Sequence, residues 1–372
     1  MNLYMDFEDP NFHFSKLEIY KYLLENEPCW WNETNQCWVI TRYDNVTHLL
    51  KDHENFTTEY GISLRSRIPF GTKRKYPRFN EQPLEQSAAD RYLITKILST
   101  FVNHNLDTYI EQNIDRLLST NLYATFDIVK HVLQVFPPDV ICEMLGIPVD
   151  QRAYVTDLSN GVLRCLSEQE EDNIINTLSM FILNNIPKNI NDVTDLDLRQ
   201  KITYSMVFIL AGHITITSSM TNMVYDVVRY PEEFKKVKNN KELIYNFIEE
   251  SLRFSNTTQG LVRTCTKDYK LYDKTIKRGD AVLLAINAAN LDPSKWGSNS
   301  FSFSTDRIFG KYNLAFGHGP HQCMGMALAR KQMTILLNQL TNYQTIDINE
   351  IKYKSEVDLS GSSIEKLFIT IN

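Results

Sequence analysis

Nothing near the start of this chain joins a basic stretch to an apolar run. Met-Asn-Leu-Tyr-Met-Asp-Phe-Glu-Asp-Pro carries acids and an early proline instead, so neither a signal peptide nor a membrane anchor is expected. Cysteine is scarce, with six in 372 residues, unpatterned and without a Cys-x-x-Cys pair, which excludes a disulfide framework. Basic residues are the minority: 39 Lys and Arg against 45 Asp and Glu give a net charge of −6 and argue against a nucleic-acid role. No repeat, low-complexity tract or linker interrupts the chain. With 43% hydrophobic residues it can bury an ample core, and residues 1–372 are expected to form a single domain of a cytoplasmic, monomeric protein.

What is present is concentrated near the C-terminus. Phe316-Gly317-His318-Gly319-Pro320-His321-Gln322-Cys323-Met324-Gly325 brackets one cysteine with glycines, and the helix formers from Met326 onward put Cys323 at the expected start of a helix. Unsatisfied N–H groups and the helix dipole favour an anion there, so a thiolate is stable. A lone cysteine is more often a small buried hydrophobe. His318, His321 and Cys323 also suggest zinc, but with no matching ligand pair elsewhere they miss the four-coordinate structural pattern.

Two upstream segments have helical periodicity and carry chemistry. In the first, Leu243, Ile244, Phe247, Ile248 and Leu252 recur at helical spacing, which brings Glu250 and Arg253 onto one face at i, i+3. The second runs from Leu198 to Arg229 and reads as one long buried helix containing Gly212. A mid-helix glycine costs about 1 kcal/mol against alanine, and close approach of a ligand to the backbone is one reason to keep it. Ala211, Gly212 and Thr215 lie near one face at i, i+1 and i+4.

Ala211-Gly212-x-x-Thr215, Glu250-x-x-Arg253 and Phe-x-x-Gly-x-x-x-Cys-x-Gly, in this order along the chain, resemble the signatures of the cytochrome P-450 family. The resemblance implies a mainly α fold with a small β region and no fused reductase. It also implies heme b (iron protoporphyrin IX) with the Cys323 thiolate as axial iron ligand. On the same basis Arg263, in the first of several short hairpin strands, and His321 hold heme propionates. Phe316 packs beside the sulfur, while Gly317 and Gly325 shape the loop. Glu250, Arg253 and Arg307, the last within Phe303-Ser-Thr-Asp-Arg307, form a buried structural cluster, and Asn287-Ala-Ala-Asn-Leu-Asp292-Pro293 matches a further family stretch. Thr215, Gly212 and Ala211 form the catalytic oxygen groove.

Two departures stand out. Ile214 occupies the position of the family's acid and cannot relay a proton, while Thr217 lies roughly 200 degrees round the helix from Thr215 and faces elsewhere. His213 is read as a packed or solvated histidine. In the segment resembling the family's C helix, Asp90 and Ile94 stand where His-x-x-x-Arg is common, leaving Arg91 or Tyr92 to compensate.

The implied activity is monooxygenation of a small organic substrate, with electrons from a separate ferredoxin-like or flavoprotein donor. The alternatives are a peroxide-driven or rearranging enzyme of the same fold, or a non-enzymatic heme protein that binds a gas. Pocket walls are expected from residues 56–79, 161–186 and 257–261. Lys73, Arg74, Lys75 and Arg78 form a basic cluster, read as a solvated loop or as a patch for an acidic electron donor.

Overall fold

Good helix formers with apolar residues every three to four positions make helix the prevailing element, 55% of the described residues, and the β structure is a few short strands, as the mainly α expectation required. The structure, a computed structural model, describes residues 6, 7, 9, 11–64, 66–73, 79–164, 168–309, 312–354 and 362–372. Arg74, Lys75 and Arg78 of the basic cluster therefore lie outside the described residues, as do parts of two of the expected pocket walls. Contacts group the chain into two compact units, each assembled from segments distant in sequence. One comprises Met1–Tyr92, Asn222–Met326 and Ile351–Glu365, the other Leu93–Thr221, Ala327–Glu350 and Lys366–Asn372.

The first unit holds a five-stranded sheet in the order Cys29–Asn32, Cys37–Ile40, Ala281–Leu284, Leu261–Cys265, Phe56–Thr57. Cys37–Ile40 and Ala281–Leu284 run parallel, with Val39 opposite Leu283; the next pairing is antiparallel and sets Arg263 opposite Val282. Ile40, Val46, Leu49, Phe56, Val282 and Leu284 pack together beside it. The expected short strands after residue 260 all form, with Tyr269–Leu271 and Lys274–Ile276 as a separate hairpin.

The helix bearing Glu250 and Arg253 spans Ile244–Phe254 and buries Ile244, Phe247, Ile248 and Leu252, each worth about 1.5–3 kcal/mol. It starts later than its apolar pattern because the preceding turn, Lys241–Leu243, is 3-10 helical. The Asn240 side chain caps that turn by accepting from the Glu242 N–H.

The second unit is helix-rich, with His104–Ser119, Phe136–Leu145, Val149–Arg164, Glu168–Asn184 and Leu198–Ala211. Sequence-local caps start two of these. The Asn103 side chain accepts from the Leu106 N–H, and Asp197 with Gln200 forms a reciprocal capping box. Near the end of the chain, Ile369 pairs with Phe126 in an antiparallel ladder.

The long helix expected from Leu198 to Arg229 is broken. Leu198–Ala211 ends at Gly212 and a new helix, Ile214–Arg229, begins after His213. A Cβ on residue 212 would lie 2.3 Å from the Phe208 carbonyl oxygen and 2.8 Å from Ile141 Cδ1, so glycine is required by the tight break and by a neighbouring helix. Residues Leu198–Arg229 are long and apolar enough by composition to cross a membrane, and half of that apolar window is buried within the protein.

Candidate active site

Glu250 and Arg253 are both fully buried, with no side-chain exposure, unlike an ordinary solvated i, i+3 pair. Arg253 Nε donates to Glu250 Oε2 at 2.7 Å and Nη2 to Oε1 at 2.8 Å, the bidentate geometry that makes such pairs strong. Its remaining N–H groups go to the carbonyls of Asn290, Ser300 and Ser302, so every donor of the guanidinium is used. Arg307 Nε adds bonds to the same carboxylate at 3.2 and 3.3 Å, and the Ser304 N–H donates to it at 2.8 Å.

The three charged residues expected together are thus brought together, and the cluster reaches the cysteine loop. Asn290, whose carbonyl accepts from Arg253, takes the Leu314 N–H on its side-chain oxygen, and Asn313 bridges Glu249 to the Ala315 N–H. Asn290 and Asn313 were not singled out in the sequence; the Asn-Leu-Asp-Pro match was the available signal for the first. In that stretch Asp292 is fully buried, where it accepts from the N–H groups of Tyr43 and Ser294.

Directly after this anchored segment, the Gly317 N–H donates to the Leu314 carbonyl, with φ of +70° at residue 317, a conformation that favours glycine. The chain then passes through a 3-10 turn, Gly319–His321, to an exposed Cys323. Cys323 does not sit at the start of a regular helix, as the sequence suggested. That helix begins at Met326, and the Cys323 N–H is used by the Phe316 carbonyl at 2.9 Å, which closes the loop on itself. Phe316 thus meets Cys323 through its backbone, and at Gly325 an added Cβ would touch the Cys323 sulfur at 3.9 Å.

Around this loop the first unit gathers positive charge. Arg263 is 3% exposed, and among the described residues its guanidinium donates to one acceptor, the Val262 carbonyl. Burial pulls its pKa down to about 10 with no carboxylate opposing the shift. His321 is pushed to about 4 by burial and then by the neighbouring Arg263, Arg91 and His53. Arg91, on the helix Leu84–Phe101, is half-buried and donates to the Gln322 carbonyl, whereas Tyr92 points to solvent at 70% exposure. Of the two residues offered to compensate, Arg91 is therefore the one that faces the cysteine loop.

A buried arginine, Arg263, whose guanidinium meets no carboxylate among the described residues, beside an accessible thiol, fits a ligand bearing carboxylates and a thiolate-seeking metal. Heme b, with two propionates and iron, meets both demands. Among the described residues no three His, Cys, Asp or Glu side chains converge on a common point, so the zinc alternative built on His318, His321 and Cys323 has no site.

In the second unit, Thr215 and Ala211 are exposed and share a face. Thr215 Oγ1 donates to the Ala211 carbonyl at 3.1 Å. Gly212 is half-buried behind them against Ile141, and Thr217 turns away to donate to the Leu133 carbonyl. His213 is the packed histidine of the two readings, 3% exposed. Its Nδ1 lies 2.9 Å from the Ile209 carbonyl and 3.1 Å from Ser159 Oγ, and burial lowers its pKa. The neutral ring protonated on Nδ1 then leaves Nε2 as an acceptor for the Asn160 amide, 3.2 Å away once its N and O are exchanged. Ile214 is half-buried and brings no titratable group.

Comparison with known proteins agrees with this geometry. A family model described as cytochrome P-450 matches residues 102–350. A putative cytochrome P-450 123 of Mycobacterium tuberculosis is 25% identical over 95% of this chain and 94% of its own length. The mycinamicin VIII C21 methyl hydroxylase of Micromonospora griseorubida is 27% identical over 82% of this chain and 81% of its own. The solved structure of the open cytochrome P-450 EryK from S. erythraea superposes with a TM-score of 0.86 at 20% identity, covering 99% of this chain and 98% of that one, and so shares the fold.

Proposed function

The chain belongs to the cytochrome P-450 family, and from that premise we propose that it inserts one oxygen atom of O2 into a small organic substrate. The second oxygen leaves as water, and the two electrons come from a separate ferredoxin-like or flavoprotein donor. Membership makes it a heme-thiolate oxidoreductase that binds heme b. The observation that carries the reading is the pair of cations Arg91 and Arg263, whose charges both act on the His321 ring, beside the exposed Cys323. The Micromonospora relative, named as a methyl hydroxylase, supports oxygenation of an organic group.

In this reading Cys323 ligates iron, Arg263 and His321 hold the propionates, and Gly317 and Gly325 give the loop its shape. Phe316 braces the loop, and Glu250, Arg253 and Arg307 anchor the backbone that leads into it. When bound, the heme supplies oxygen activation, for which a thiolate ligand favours O–O cleavage. Ala211 and Gly212 leave a side-chain-poor stretch beside the Thr215 hydroxyl, which holds a proton at Oγ1 and in the resting geometry donates it to the Ala211 carbonyl. We take the whole chain to work as one domain and as a monomer. The five described cysteines carry no disulfide, which supports the reducing cytoplasm as its compartment.

Ile214 favours one variant of this function, a peroxide-driven enzyme of the same fold, because the position before Thr215 holds isoleucine and not an acid that could relay protons. Product formed per NAD(P)H consumed, with a true substrate and a competent donor, separates the two. The O2 route with inefficient proton delivery predicts low coupling that falls further in Thr215→Ala and rises in Ile214→Glu. Faster turnover with peroxide than with O2 and the donor would establish the peroxide route instead.

A further inference from the structure

The helix Leu84–Phe101 places Asp90 and Ile94 where a histidine and an arginine were expected, and Ile94 is buried at 1% exposure. Neither can serve an anion. The residue between them acts elsewhere: Arg91 Nη2 donates to the backbone carbonyl of Gln322 at 2.5 Å, a link between positions 231 residues apart in sequence. Gln322 immediately precedes Cys323, whose own N–H is held by Phe316. The peptide entering the cysteine is therefore gripped at its carbonyl by a side chain from another helix, while the cysteine N–H is fixed within the loop.

A guanidinium is the suitable group for this task. It stays charged at any ordinary pH, and a charged donor makes a stronger bond to a carbonyl than a neutral one. The position also matters electrostatically, because Arg91 is close enough to act on both Cys323 and His321. In a half-buried setting such an interaction is less screened than it would be in water.

We propose that Arg91 is a positioning residue for the cysteine loop: it fixes the Gln322 carbonyl and keeps a permanent positive charge beside the sulfur of Cys323. This rests on Cys323 being the iron ligand. A fixed cation near the iron eases uptake of an electron, so Arg91 sets the reduction equilibrium of the holoenzyme as well as the shape of the loop.

The test uses heme-loaded wild type, Arg91→Gln and Arg91→Lys, with the ferric-to-ferrous ratio measured at a fixed applied potential. Arg91→Gln is expected to shift that ratio toward ferric by about tenfold, equivalent to about 59 mV for a one-electron couple. Arg91→Lys, which keeps the charge, is expected to stay close to wild type. A merely structural role would not distinguish the two variants by charge. An Arg91→Gln ratio equal to wild type, or an Arg91→Lys ratio displaced as far as the glutamine variant, overturns the proposal. If Arg91→Gln takes up no heme, Arg91→Lys decides alone, a wild-type ratio supporting the proposal and a shift toward ferric overturning it. The reduced CO complex of wild type is recorded alongside: absence of its red-shifted Soret band would sink the heme-thiolate reading itself, a failure separate from that of Arg91.

Discussion

Arg253 and Arg263 are both closed off from solvent, at 0% and 3% exposure, yet among the described residues only one of them meets a carboxylate. Arg253 has Glu250 in a bidentate pair and three backbone carbonyls for its other donors. Arg263 has one backbone carbonyl, and its own charge acts on the nearby His321 ring. A buried charge is tolerated when its desolvation is offset inside the protein or when a ligand offsets it. The first cluster is therefore complete within the chain and belongs to the scaffold. The second lacks a carboxylate among the described residues, and on that ground we propose it as the place where the ligand's anion binds.

The contrast predicts opposite consequences for removing charge. The largest effect is expected from Glu250→Gln, which strands Arg253 and Arg307 in the interior. Breaking a buried pair in this way costs about 3–5 kcal/mol, a large share of the roughly 5–15 kcal/mol that holds a domain folded. Little soluble, heme-loaded protein should accumulate, and the urea midpoint of what remains should fall. Normal yield and an unchanged midpoint would mean that the pair contributes no more than a surface pair does.

Arg263→Met should do the reverse in the heme-free protein. Burial alone drives Arg263 down to about 10, so removing the cation relieves a cost and should raise heme-free stability, on the order of 1–3 kcal/mol. Heme affinity should drop about tenfold or more, since a charge-assisted bond to a carboxylate is lost. Urea titration of the heme-free form and a heme-transfer assay read the two effects separately. A variant that is less stable without heme and binds heme as tightly as wild type would place Arg263 in the scaffold with Arg253.

The same contrast explains how much was legible beforehand. Glu250 and Arg253 could be paired from i, i+3 spacing on an apolar-periodic helix, and Cys323 stood out through the glycines around it, because both signals are local. Arg307 and Arg263 needed the family pattern, since nothing local says which partner a distant arginine will find. The role of Arg91 depends on a bond to Gln322 across 231 residues, and the parallel pairing of Cys37–Ile40 with Ala281–Leu284 is equally remote.

Two local readings failed for tertiary reasons. Gly212 was rightly marked as costly in a helix, but the helix breaks there, and the close approach of the Phe208 carbonyl and of Ile141 from another helix, which leaves no room for a side chain, is something periodicity cannot reveal. The helix after Cys323 starts late because the cysteine N–H turns back to Phe316 rather than joining the helix. Both misreadings fall on residues matched to catalytic or cofactor roles, where backbone geometry departs from local preference.

We propose that Arg263, His321 and the cysteine loop together hold a heme whose iron is bound by Cys323. The reduced CO spectrum of heme-loaded wild type and Cys323→Ser tests it most directly, because serine is a poor soft-donor ligand. Wild type is expected to show the strongly red-shifted Soret band of a thiolate-ligated heme, and the serine variant to lose it while the rest of the fold persists. Retention of that band in Cys323→Ser would contradict the claim.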